Sequence, residues 1–188
     1  MTREEIKALQ AKIGAAPDGF WGTRSIAACQ AHLKQLRPAT TIWPSATQAA
    51  LEGFYGSPGD ESQLVNINVS SYGVRYDGKP VKSIRCHHKV AESLERIIGK
   101  LSEIPQGRYA LKQYAGVYNN RKMRGGSLPS LHARGAAIDL EPATNRNRQS
   151  WPTSATMPIE VMEVFAAEGW TCAGSAWGRD AMHFQATI

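Results

Sequence analysis

Two histidines and two aspartates toward the C-terminus have the types and spacing of a metal-dependent hydrolytic site. The stretch SLHARGAAID, Ser130 to Asp139, sets His132 and Asp139 seven residues apart, with Gly135, Ala136 and Ala137 between them. Small residues let the backbone fold tightly, so an imidazole in a loop and a carboxylate on the following strand can converge on one point. Zinc accepts histidine nitrogen and aspartate oxygen, and a catalytic zinc keeps three protein ligands and one open position. A third ligand must come from elsewhere. The chain has five histidines. His32 sits among polar residues of a helix and reads as a surface residue. His87 and His88 open a long helix and read as local caps or surface residues. His183 lies in WGRDAMHFQ, flanked by Trp177, Met182 and Phe184. Taken alone it reads as a satisfied core histidine; with His132 and Asp139 already posed it reads as the third ligand. Asp180 precedes it by three residues. In a straight strand the two would face opposite sides. Asp180 is therefore expected on the turn before the strand, where Gly178 gives freedom, beside the metal without binding it. A carboxylate there can take a proton from water and pass it to a leaving amine. A structural aspartate capping that turn is the alternative.

Elements to position these groups are visible along the chain. Residues 2–14 carry a helix signature: a Thr2–Glu5 capping box, then Ile6, Leu9 and Ile13 on one face, then Gly14. A second helix begins near Thr23, with Ile26, Cys29, Leu33 and Leu36 as its stripe, and a third covers about 45–54. FYGSPGDESQ (54–63), with two glycines, a proline and acids, reads as a linker. Short β-like runs follow, LVNINV and GVRYDGKPVKSIRC, with Asp77-Gly78 as a hairpin turn. A long helix is predicted over 88–103, stopped by Pro105 and Gly107. RYALKQYAGVY, AAIDLE and AMHFQAT read as strands, and PIEVMEVFAAEG as a helix with Ile159, Met162 and Phe165 inward. This irregular alternation predicts an α+β fold: a small antiparallel sheet with flanking helices, preceded by a three-helix bundle. The expected division is a helical module over 1–53, a linker and domain start over 54–63, and the sheet domain over 64–188.

Composition narrows the classes. The chain has 188 residues, 42% hydrophobic and 20% charged, with a net charge of +6. No apolar run approaches the ~18 residues of a membrane span, and MTREEIKALQ reads as an amphipathic helix rather than a signal peptide. Stable membrane association is not expected. Positive charge concentrates in NNRKMRGG (119–126) and NRNRQ (145–149), both flanking the candidate site. The charge is therefore tied to that site and to an anionic substrate rather than to DNA; no aromatic-basic nucleic-acid motif is present. Three cysteines, Cys29, Cys86 and Cys172, with no C-x-x-C, predict free buried thiols.

The spaced pair S-x-H-x-x-G-x-x-x-D and D-x-x-H-F resembles the VanY-like family of zinc D-Ala-D-Ala carboxypeptidases and L-alanyl-D-glutamate endopeptidases. FYGSPGD, YNNR and GW…W…DAMHFQ match as well, so the resemblance covers about 54–188. It implies that His132, Asp139 and His183 bind zinc and that Asp180 is the catalytic base. It also implies a substrate-holding arginine before the first motif: Arg121 first, with Arg124 close behind. Ser130 is expected to support the ligand loop or the substrate, and Trp177 to meet the substrate. One departure is Cys172, in EGWTCAGSAW. A thiolate reaching the metal would close the site, and Asp180 would then have no task. Residues 3–55 resemble a three-helix peptidoglycan-binding module through IKALQAKIG, DGFWGTRS and PSATQAAL. That resemblance implies wall contact by Asp18 and Trp21; a purely structural bundle docked on the rest of the chain is the alternative.

The expected function is zinc-dependent cleavage of peptidoglycan stem peptides after L-alanine, in a monomeric bacteriophage endolysin. Such a protein waits in the host cytoplasm and reaches the wall at lysis. A D-Ala-D-Ala carboxypeptidase and a non-catalytic wall-binding protein are the alternatives. On this reading, removing residues 1–53 weakens wall binding and leaves the metal site folded.

Overall fold

The computed structural model describes residues 1–188. Helix α1 (Arg3–Lys12) starts at the expected capping box: Glu5 N–H donates to Thr2 Oγ1, and Thr2 N–H donates to the Glu5 carboxylate. Helix α2 (Thr23–Leu36) buries Cys29 and Leu33. Ile26 and Leu36, expected in the same buried stripe, stay exposed. Helix α3 (Gln48–Tyr55) is capped by Thr47 and buries Leu51 and Tyr55. Strand β1 (Leu64–Asn68) is followed by a hairpin of β2 (Arg75–Tyr76) and β3 (Lys79–Pro80). Its Asp77-Gly78 turn has positive φ at both residues, as a two-residue primed turn requires. Strand β4 (Ser83–His87) returns antiparallel to β1.

Helix α4 (Ala91–Glu103) lays Leu94, Ile97, Ile98 and Leu101 wholly inside. The chain then departs from the expected strand, because α5 (Pro105–Leu111) is helical. Pro105 takes the first turn, where a missing N–H costs nothing. Gly107 is no stop: a Cβ there would strike the Leu101 carbonyl, so glycine is what lets α5 fold back on α4. Only Tyr114–Gly116 of that stretch is strand, β5. Strand β6 (Ala137–Leu140), helix α6 (Ile159–Ala167), strand β7 (Thr171–Cys172), helix α7 (Ala173–Trp177) and strand β8 (His183–Gln185) complete the chain. The four-stranded sheet is antiparallel in the order β5-β6-β8-β7. The fold is α+β, as the element pattern predicts. No helix is long and apolar enough to cross a membrane.

The core runs without a break from the sheet into the first three helices. Phe165 of α6 stacks on Phe184 of β8, with ring centroids 3.9 Å apart. Cys29, Leu33, Trp43, Leu51 and Tyr55 belong to the same buried cluster. Polar contacts reinforce the join. Tyr55 Oη donates to the Ala186 carbonyl at 2.7 Å, and Trp43 Nε1 donates to the Glu168 carbonyl at 2.8 Å. Lys12 pairs with Glu160 and Glu163, and His32 with Glu163. His32 is therefore half-buried and partnered. The boundary drawn after residue 53 falls inside α3, and Tyr55, placed in the linker by composition, is 2% exposed. Pro, Gly and acidic residues mark a turn there, but the flanking aromatic decides that the turn is packed.

Candidate metal centre

Register brings the first two groups together. β6 and β8 pair with Asp139 directly opposite His183, and opposed residues of an antiparallel pair project on the same face. His132 arrives from a short 3-10 turn, Leu131–Arg134, just before β6. Ser130 starts that turn, its Oγ accepting from His132 N–H at 3.4 Å. Gly135 ends it at φ +67°. A Cβ on Gly135 would stand 2.8 Å from Leu64 Cδ2 and 2.9 Å from His87 N. Glycine is thus required there twice, for the left-handed backbone and for the approach of β4. Arg134, on the same turn and nearly buried, donates to the Gly56 carbonyl at 2.8 Å and to Glu52 Oε2 at 2.9 Å. α3 therefore grips the turn that carries His132.

Both imidazoles have their outer nitrogen committed. His132 Nδ1–H donates to the Val117 carbonyl at 2.7 Å. His183 Nε2–H donates to Gln185 Oε1 at 3.1 Å, and Gln185 in turn donates to Thr187 Oγ1 at 2.7 Å. Each ring is left with one lone pair facing inward. His132 Nε2, His183 Nδ1 and Asp139 Oδ1 stand 3.0–3.2 Å from one another. Ligand atoms 2.0–2.1 Å from a tetrahedral zinc lie roughly 3.3 Å apart. One proton can bridge His183 and Asp139, but it cannot serve all three atoms. The donor set fits a divalent cation of the zinc class, held by His132, Asp139 and His183. Burial alone pushes the Asp139 carboxyl up, but the two imidazoles outweigh it and hold it well below the usual carboxylate range. The His183 imidazole is lowered by burial and raised more by Asp139, for a net rise.

Asp180 stands outside the triad and beside it. It lies on the turn before β8 at φ +59°, with His183 N–H donating to its carbonyl at 2.9 Å. This left-handed residue breaks the strand alternation, and the Asp180 carboxyl lines the same cavity as the three ligands. Its Oδ1 is buried without a hydrogen-bond partner. Burial raises its pKa, with the neighbouring His183 opposing and Asp139 adding to the rise.

The cavity, about 200 Å³, is open to solvent and also lined by Arg121, Arg124, Ser130 and Trp177. The two arginines differ. Arg121 donates to the Lys122 carbonyl at 3.2 Å, whereas the Arg124 charge is felt by the Asp180 carboxyl. Trp177 lies nearly parallel to the His183 ring, with centroids 5.9 Å apart, and is half-exposed. Arg179 lines the same space and escaped the sequence reading, although it adjoins Asp180. Gln185 and the Val117 carbonyl, which orient the two rings, were also missed. Cys172 takes no part in the triad; burial pushes its thiol up to about 11. Asp18 and Trp21 lie elsewhere. Asp18 Oδ1 accepts from Phe20 N–H and Gln10 Nε2, both at 2.8 Å, and Trp21 packs edge-on against Trp151.

Residues 124–186 match the M15 peptidase family model described as D-alanyl-D-alanine carboxypeptidase. That segment holds the three ligand candidates and Asp180, begins at Arg124 and excludes Arg121. Neither the curated proteins nor the solved structures include a match to this chain. The family match supports a peptidase acting on peptidoglycan.

Proposed function

We propose that this chain is a zinc-dependent peptidase that cuts the peptidoglycan stem peptide between L-alanine and D-glutamate, in the manner of a bacteriophage endolysin. The observation that carries the reading is the inward lone-pair triad of His132, Asp139 and His183, with the unpartnered Asp180 carboxylate beside it. Held by His132, Asp139 and His183, zinc would supply Lewis acidity to the scissile carbonyl and to water. Asp180 takes a proton from the attacking water on its free oxygen and returns it to the leaving amine. Arg124 donates to substrate carboxylate or to charge growing on the carbonyl oxygen, and Arg121 and Arg179 extend the positive rim. Trp177 offers a ring face at the mouth, and Ser130 holds the His132 turn. The enzyme acts as a monomer made in the host cytoplasm and delivered to the wall at lysis.

A D-Ala-D-Ala carboxypeptidase is the second reading, favoured by the description of the matching family. Mass spectrometry of purified peptidoglycan, digested with and without a chelator, separates them. New amino termini on D-glutamate, formed only with metal, support the endopeptidase. Loss of a terminal alanine alone moves the assignment to the carboxypeptidase. No product despite bound zinc overturns both and leaves a wall-binding protein.

A further inference from the structure

No hydrogen bond holds Asp180 Oδ1, which is buried without a partner. The hydrogen bonds that locate this residue are therefore those of the backbone, where its carbonyl accepts from His183 N–H at 2.9 Å. The backbone just before it is paired with a distant segment. Ser150 and Arg179 form an antiparallel bridge, and Trp151 N–H donates to the Gly178 carbonyl at 3.0 Å. Trp151 is itself anchored: it is 3% exposed, and its Nε1 donates to the Met157 carbonyl at 2.8 Å. Its ring and that of Trp21 meet edge to face, with centroids 5.3 Å apart and planes at 84°, a favoured aromatic geometry. Trp21 is presented by a rigid turn. Gln10, almost wholly buried, donates to Asp18 Oδ1, the Phe20 carbonyl and Ser25 Oγ, and accepts from Gly19 N–H.

We propose that Trp21 is a positioning residue for hydrolysis. It presses on Trp151, keeps Ser150–Trp151 in register with Gly178–Arg179, and so holds the Asp180 carboxylate beside the metal centre. This rests on the reading of Asp180 as the proton-transferring group. The DGFWG turn then works inside the enzyme, with its tryptophan turned onto the sheet domain and not toward a sugar.

The test compares the full chain with Trp21→Ala and Trp21→Phe by three readouts: zinc content, amide hydrogen exchange, and muropeptide hydrolysis. Trp21→Ala keeps its zinc and the slow amides of α4. Its Trp151 amide exchanges about tenfold faster or more, as a local opening does. Its kcat falls roughly 10- to 100-fold with KM unchanged, the scale of a small misplacement of a reacting group. Trp21→Phe restores most of both. A Trp151 amide as slow as in the parent overturns the proposal, as does faster exchange with unchanged kcat, or a loss confined to KM. If Trp21→Ala loses the α4 amides, Trp21→Leu, which fills the space without a ring, is read by the same criteria. A parent protein that hydrolyses nothing refutes the peptidase reading, and the Trp151 amide then decides separately whether Trp21 holds the segment.

Discussion

At the scale of single residues, the proposed reading divides the labour: the triad holds a cation and Asp180 moves a proton. Asp180→Asn keeps the shape and removes the base. It is expected to retain zinc and lose about 10²- to 10⁴-fold in kcat, read as metal content beside turnover. Gln185→Leu removes the acceptor that fixes the His183 ring. Zinc affinity should fall about 10- to 100-fold while the sheet stays folded, the scale seen when a ligand's outer partner is lost; competition with a chromophoric chelator measures it. The three candidate ligands and Asp180 stood out in the sequence through the spaced motif pair, with only five histidines to choose from. Their supports were not. Val117 acts through a carbonyl that every residue has, and Gln185 is a neutral amide with no pattern around it. Arg179 was hidden for a different reason: arginines are common in this basic chain, and only the cavity shows which of them face inward.

At the scale of elements, register and turns place these groups. Gly135→Ala would force a side chain into a left-handed backbone and against β4. Backbone strain alone costs about 1–3 kcal/mol, and the contact with His87 N adds to it, so a lower urea midpoint with weakened zinc binding is expected. His87 supplies a second lever. It is 1% exposed, donates from Nε2 to the Tyr55 carbonyl and accepts at Nδ1 from Lys89 N–H. This arrangement needs the neutral ring, and burial first, then the charges of His88 and Lys89, lower its pKa. The unfolded chain takes up the proton near pH 6.5, so it binds more protons than the native state just below that pH. The stabilisation is complete above about pH 6.5 and is lost as pH falls from there through the depressed native value. Between pH 7.5 and 5.5 the parent should lose more of its urea midpoint than His87→Gln; equal losses would refute this. Helices with a strong apolar stripe, α4 above all, were readable. Residues 108–111 were misread because their tyrosine and leucine suggest a strand, while the close approach of Gly107 to Leu101 that lets α5 fold back on α4 leaves no local pattern.

At the scale of the molecule, the first three helices and the sheet share one core. Removing residues 1–53 would strip Glu52 from the nearly buried Arg134 and uncover the packing around Tyr55 and Phe184. The Arg134 guanidinium would keep only the Gly56 carbonyl, and the apolar surface that α1 to α3 cover would meet water. The truncated chain is therefore expected to lose cooperative unfolding and zinc together, against the expectation from the sequence. A truncation that binds zinc with a sharp melt would restore the picture of two independent modules. The stripes of α1 and α2 showed that each has a face to bury. They could not show what covers it, because an amphipathic helix reads the same against a sister helix or against a sheet.

The strand order β5-β6-β8-β7 places β8, which follows β7 in the chain, between β6 and β7. On the ribosome, β6 and β7 emerge with a gap between them, and Asp139 waits without its cross-strand partner. A chain interrupted anywhere before residue 183 carries at most two of the three candidate ligands. On the proposed reading, the nascent protein can complete the three-residue set only when β8 enters the gap between β6 and β7.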